Sequence, residues 1–146
     1  MSLPIPQMLC FALYSATHAM QHAYQPLLDA IGLTYPQYLV LSALWAQDDQ
    51  TVGQIARTLH LESNTLTPLL KRLQTMGHLT RTRDARDERQ VRVALTDSGR
   101  SLEPHAAHIP DCVLEKTGLT LPDLRALQSQ IIDLRDHLRI HPVAAP

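Results

Sequence analysis

The chain has 146 residues, 45% of them hydrophobic and 18% charged, with a formal net charge of −1; these values fit a folded domain and exclude a disordered or collagen-like chain. No run of about 18 apolar residues occurs, which excludes a transmembrane helix, and residues 1–7 lack the basic start and apolar stretch of a signal peptide. The net charge conceals a split, because residues 51–95 hold eight Lys/Arg and four Asp/Glu, a local +4, so the remainder carries −5.

A basic centre between acidic ends suits a small nucleic-acid-reading module on a dimerisation scaffold. The expected location is the cytoplasm, where two cysteines are ordinarily thiols and a disulfide between them is transient or redox-sensing.

In chain order, Met8, Phe11, Ala12, Ala16, Ala19, Met20 and Ala23 recur mostly at steps of three and four. That spacing predicts a helix over about 7–28, kinked or ended by Pro26, with Gly32 breaking the chain after it. Thr34-Tyr35-Pro36-Gln37 is a capping-box pattern, and it opens a helix through Leu39, Val40, Leu41, Leu44 and Trp45. Residues 47–50 read as a loop. A second capping box, Thr51-Val52-Gly53-Gln54, starts a short helix with Ile55, Ala56 and Leu59 inward. A tight turn at His60-Leu61 leads to a helix over about 63–76, with Leu66, Leu69, Leu70 and Leu73 facing the core and Gly77 ending it. Residues 79–83 and 90–95 alternate as the one expected strand pair, around a polar tip at 84–89. Thr96 caps a long helix to about Glu115, bent at Pro104 and Pro110. Thr120-Leu121-Pro122-Asp123 caps a last helix in which Leu121, Leu124, Leu127, Ile131, Leu134 and Leu138 form a narrow seam. Such a seam packs on another helix, of this chain or, the favoured reading, of a second subunit. The tail from His141 reads as frayed.

Helix, turn, helix, strand, basic tip, strand is the order of a winged helix-turn-helix. The expected fold class is mainly α, a single domain of residues 1–146. Its DNA-binding lobe spans about 34–95, and its N- and C-terminal helices, about 7–30 and 96–140, form a dimerisation region. The lobe's second helix carries Ser63, Asn64, Thr65, Thr67 and Lys71 on its polar face. Short hydroxyl and amide side chains near a helix N-terminus let the backbone approach a major groove and donate to bases and phosphates. The free N–H groups there attract phosphate as well. Lys71 and Arg72, further along, are expected on phosphates. Arg86 and Arg89 sit at the tip, where an arginine can enter a minor groove. Asp84 and Asp87 are expected to hold the tip's shape by pairing with an arginine rather than to touch DNA. Each residue alone reads equally well as a helix cap or a solubilising charge; the order of the elements carries the reading.

Asp84-Ala85-Arg86-Asp87-Glu88-Arg89, after Gly77-His78-Leu79 and before Leu95-Thr96-Asp97-Ser98-Gly99, resembles the wing signature of MarR-type regulators. The resemblance extends over about residues 10–138. It implies an all-helical homodimer with a short wing, whose outer helices interlock and whose lobes enter the two halves of a palindromic operator in double-stranded DNA. Residues 9–14 (LCFALY), 33–40 (LTYPQYLV) and 63–71 (SNTLTPLLK) further resemble the organic-hydroperoxide-sensing, OhrR-like branch. That likeness implies that Cys10 is the peroxide-reactive thiol and that Tyr24 and Tyr35 hydrogen-bond it. It also implies that Cys112 of the other subunit resolves the oxidised sulfur. No cofactor and no metal are expected.

Peroxide attack needs a thiolate, a form that helix N-termini and hydroxyl donors favour. Attack gives a sulfenic acid, which condenses with a second thiol to a disulfide. The bonded pair must bring its Cα atoms to about 5.5–6 Å, and drawing helices together across a dimer would disturb lobes that read half-sites about 34–36 Å apart. Phe11, Met20 and Trp45 offer apolar surface suited to an organic peroxide. A free cysteine is equally a common small hydrophobe of protein cores, and three rivals stay open. One is a repressor released by a small phenolic or lipophilic ligand. Another is a zinc-responsive regulator using His18/His22 or His105/His108, pairs that no Cys/His cluster completes. The last is a thiol peroxidase, for which no βαβ pattern, CxxC or Gly-rich loop argues. The chain reads as a repressor and not as an enzyme.

Overall fold

The computed structural model describes residues 3–140, so the tail from His141 lies outside the described residues. After a 3-10 turn at Ile5–Gln7, helix α1 spans Leu9–Asp29. Pro26 lies inside α1 and does not end it. It sits in the last turn, where a missing donor costs one bond to a solvent-facing carbonyl, and Gly32, with φ 69°, makes the break that follows.

Helix α2 (Tyr35–Ala46) and helix α3 (Val52–Leu59) both start with complete capping boxes. The Thr34 hydroxyl accepts from the Gln37 amide while Gln37 Oε1 accepts from the Thr34 amide, and Thr51 and Gln54 repeat the exchange. Each box satisfies two of the amides a helix start leaves unpaired. His60 takes the left-handed conformation, φ 54°, that turns the chain into helix α4 (Ser63–Thr75). Strands β2 (Leu79–Arg83) and β3 (Val91–Leu95) pair antiparallel, Leu79 opposite Leu95 and Arg83 opposite Val91.

Two differences from the sequence expectation stand out. The sheet has three strands, ordered β1-β3-β2, because Gln50–Thr51 forms a two-residue β1 against Val93 and Arg92. Residues 97–117 are three helices, α5 (Asp97–Ser101), α6 (Glu103–Ala106) and α7 (Ile109–Thr117), rather than one bent helix. Pro104 and Pro110 each stand at the second position of a new helix, where the absent N–H is not missed.

The described chain falls into two compact units, one ending at Ile109 and the other starting at Pro110. In the first, Val40, Leu41 and Leu44 of α2, Ile55 of α3, Leu66, Leu70 and Leu73 of α4, and Val93 of β3 are fully buried in one cluster. Leu69, expected inward, is only partly buried. Every helix of the helix-turn-helix thus contributes its apolar stripe, leaving the opposite face of α4 to solvent. In the second unit, helix α8 (Leu121–Ile140) has no buried residue, and Leu127, Ile131 and Leu138 are 46%, 43% and 55% exposed. Phe11 and Leu9 of α1 are likewise exposed.

Candidate functional site

Helix α4 begins at a Glu62 cap with no side-chain hydrogen bond, so its first amides are not closed off as those of α2 and α3 are. Ser63, Asn64 and Thr65 are exposed around that end, and Lys71 and Arg72 are exposed further along. Thr67 is half-buried, and its hydroxyl donates to the Ser63 carbonyl at 2.8 Å, so its oxygen is left chiefly as an acceptor. Pro68 lies inside α4 and frees the carbonyl of Asn64 from its usual helical donor.

The wing tip is held by two aspartates. Asp84 Oδ1 accepts from the Arg86 amide at 2.7 Å and the Asp87 amide at 3.4 Å, while its Oδ2 lies 3.2 Å from Arg92 Nη1. The Arg86 amide first, then the Arg92 guanidinium, holds the Asp84 carboxyl below the ordinary carboxylate range. Asp87 accepts from the Arg89 amide and pairs with its guanidinium at 3.1 Å. Arg89 therefore carries an acidic partner, whereas the Arg86 guanidinium has none among the described residues.

Arg92, not singled out from the sequence, is the pivot of this region. Its Nε meets Asp49 Oδ1 at 2.8 Å, its Nη2 donates to the Asp49 carbonyl, and its Nη1 reaches Asp84. Asp49, with φ 56°, belongs to the turn between α2 and β1, so one guanidinium ties that turn to the wing tip. Asp48 beside it accepts from the Leu95 amide and pairs with Arg100, both at 2.8 Å. Partial burial alone would raise the Asp48 carboxyl, but the Leu95 and Asp49 amides and Arg100 outweigh it and hold the group low. Gln50 is buried and donates to the carbonyls of Ala43 and Gln47, satisfying the end of α2. The partners of Arg92 at Asp49 and of Asp48 at Leu95 and Arg100 are far apart in sequence, and no local pattern marks them.

A cleft of about 610 Å³ opens between the start of α3, the start of α4 and the wing, with Arg57, Ser63, Thr67, Arg81, Arg89 and Arg92 among its lining residues. Arg57 and Arg81 were missed from the sequence; their signal was positive charge near the recognition helix, without a motif around it.

Cys10 is exposed and is the second residue of α1. Tyr24 lies fourteen residues on along the same helix, which at about 1.5 Å per residue puts it roughly 21 Å from Cys10. Within one chain, therefore, Tyr24 does not hydrogen-bond Cys10. Tyr24 and Tyr35 do come together, with ring centroids 5.0 Å apart, and Tyr38 packs 6.0 Å from Tyr24 and 6.2 Å from Trp45. Burial first, then the neighbouring phenols, raises Tyr24 and Tyr35 above the usual tyrosine value, so both remain O–H donors through neutral and mildly alkaline pH. A second cleft, of about 440 Å³, runs between α1 and the turn before α2, lined by His18, His22, Gln25, Asp29, Thr34 and Tyr35. Cys112 is half-buried in α7. Among the described residues no three His, Cys, Asp or Glu side chains gather as a metal site. No helix among those residues is long and apolar enough to cross a membrane.

A recognition helix with an open polar face, beside an arginine-bearing wing, defines a winged-helix DNA-binding protein. Residues 22–104 match the SarA/Rot family of transcriptional regulators. The chain is 40% identical over 136 residues to the organic hydroperoxide resistance transcriptional regulator of Bacillus subtilis (strain 168), covering 93% of this chain and 92% of that protein. It is 50% identical over 130 residues to the HTH-type transcriptional regulator TtmR of Methylorubrum extorquens (strain PA1), covering 89% and 67%. Among solved structures, overoxidized AbfR bound to DNA superposes with a TM-score of 0.76 at 36% identity, over 89% of this chain and 90% of that one. The protein belongs to the SarA/Rot, MarR-like family of transcriptional regulators, a DNA-binding and non-enzymatic family.

Proposed function

We propose that the protein is a homodimeric repressor, acting on double-stranded DNA in the cytoplasm, which releases a palindromic operator when an organic hydroperoxide oxidises Cys10. The observation that carries this is the placement of one exposed cysteine at the start of α1 and of Tyr24, packed on Tyr35 of α2, about 21 Å further along the same helix. A second copy running the other way can bring its Cys10 to the first copy's Tyr24 and Tyr35. The exposed apolar residues of α1 and α8 support such pairing. The names of the Bacillus regulator and of the AbfR structures support the oxidant and the DNA partner.

In the reaction, the Cys10 thiolate attacks the terminal peroxide oxygen, the O–O bond breaks, and the alkoxide leaves and takes up a proton as an alcohol. Sulfur is oxidised to the sulfenic acid and the peroxide is reduced. The thiol of Cys112 from the second copy then displaces water, forming the disulfide. The bond changes the separation of the lobes, in which Ser63, Asn64, Thr65 and Thr67 face the major groove, Lys71 and Arg72 hold phosphates, and Arg86 and Arg89 enter the minor groove. Asp84 and Asp87 shape the wing.

The test is a gel shift on DNA upstream of the protein's own gene, with cumene hydroperoxide and then dithiothreitol. Cys10→Ser should bind the DNA and ignore the peroxide; release of that variant would show the sensor assignment to be wrong. Cys112→Ser should lose the covalent dimer on a non-reducing gel. The cleft beside Tyr35 favours one alternative, a repressor released by a small phenolic ligand, which predicts release with both cysteines replaced.

A further inference from the structure

A protein that lays α4 in a major groove and its wing in the adjoining minor groove straddles the one sugar–phosphate strand between those grooves. That strand must pass through the space between α4 and the wing, which here is the cleft of about 610 Å³. No carboxylate is among its lining residues. Four arginines line it, and they are not equivalent. Arg89 is paired with Asp87 at the exposed wing tip, and Arg92 is held between Asp49 and Asp84, so both already have carboxylate partners. Arg81 is steadied by a neutral partner, its Nε donating to Gln74 Oε1 of α4 at 2.8 Å, which leaves both terminal nitrogens of the fork for another acceptor. The Arg57 guanidinium has no acidic partner among the described residues. Arg57 is exposed on α3 and lines the cleft.

We propose that Arg57 and Arg81 are phosphate-contacting residues that seat the DNA strand crossing this cleft, with Gln74 orienting Arg81. The inference rests on the reading of α4 and the wing as the DNA-binding face, and it assigns the backbone contacts which that reading leaves open. Arg92 shapes the cleft wall and Arg89 reaches on from the wing tip toward the minor groove, while the guanidinium groups of Arg57 and Arg81 replace counterions on the strand.

The experiment is the salt dependence of binding by the full-length dimer, measured by fluorescence anisotropy on a duplex from upstream of its own gene and on a mixed-sequence duplex of equal length. Each phosphate contact contributes about 0.9 to the slope of log K against log salt. Arg57→Gln and Arg81→Gln should each make the slope shallower by about 0.9 per bound subunit and weaken both duplexes by a similar factor. Arg57→Lys should restore the slope. Thermal melting of each variant identifies any loss through misfolding, and exposed Arg57 keeps the test open if Arg81→Gln melts early. Unchanged slopes, or a loss confined to the upstream duplex, would overturn the assignment while leaving DNA binding by this face intact. Failure of the wild-type protein to bind either duplex would overturn that underlying reading and the assignment together.

Discussion

Gly99 is where the DNA-binding lobe meets the first helix after the wing, and replacing it with alanine tests how tightly that joint is built. A methyl there would overlap the His78 carbonyl oxygen and stand 3.0 Å from its carbon, with Leu95 Cδ2 at 3.1 Å. Two of these atoms are backbone, and Leu95 Cδ2 belongs to a side chain held in the buried core. Three bonds converge on the same joint. The Thr96 hydroxyl accepts from the Gly99 amide at 3.1 Å, the Trp45 indole donates to the Gly99 carbonyl at 3.0 Å, and the Thr96 amide donates to the His78 carbonyl at 3.1 Å. Overpacking a tight site costs about 1–3 kcal/mol, losing the cap adds about 1 kcal/mol, and losing the indole bond adds about 1 kcal/mol. Alanine's better helix propensity returns about 1 kcal/mol. The net expectation for Gly99→Ala is a loss of roughly 2–4 kcal/mol, or about 4–16 °C in melting temperature for a chain of this size. Circular dichroism melts of wild type, Gly99→Ala and Trp45→Phe measure it, with Trp45→Phe expected to account for about 1 kcal/mol. A Gly99→Ala melt within 2 °C of wild type would refute the claim that α5 sits against the His78 backbone without room to spare.

Three further outcomes are expected. Mixing Cys10→Ser subunits with Tyr24→Phe/Tyr35→Phe subunits should regenerate one complete site per heterodimer, so the mixture should react with cumene hydroperoxide faster than either variant alone; no complementation means the thiol and its tyrosines do not meet across two copies. Asp48 and Asp84 are held below the ordinary carboxylate value, so their contribution is fully present above about pH 4 and is lost as pH falls through their lowered values. The melting temperature of Asp48→Asn should accordingly fall less than that of wild type between pH 4 and pH 2.5, and parallel curves would contradict the role given to Arg100 and the Leu95 amide. Thr51→Ala should cost about 1 kcal/mol by removing the cap of α3, while leaving the salt dependence of DNA binding unchanged; a urea melt and the anisotropy titration read the two effects separately.

The parts of this molecule that the sequence announced are those decided by neighbours within about four residues. The Thr34/Gln37 and Thr51/Gln54 boxes, the leucines of α4 and the alternation of β2 and β3 are local choices, and each formed where its pattern stood. The separation of Cys10 from Tyr24 was also legible, because a helix of known rise fixes the distance between any two of its residues. What required the tertiary structure is every partnership whose members are distant along the chain. Arg92 and Asp49 are 43 positions apart and Trp45 and Gly99 are 54 apart. The two-residue β1 has no period of its own and exists only because β3 lies beside it. Side-chain spacing records which face of an element is apolar, but the choice of partner for a buried amide or a guanidinium depends on which elements the closed core brings together.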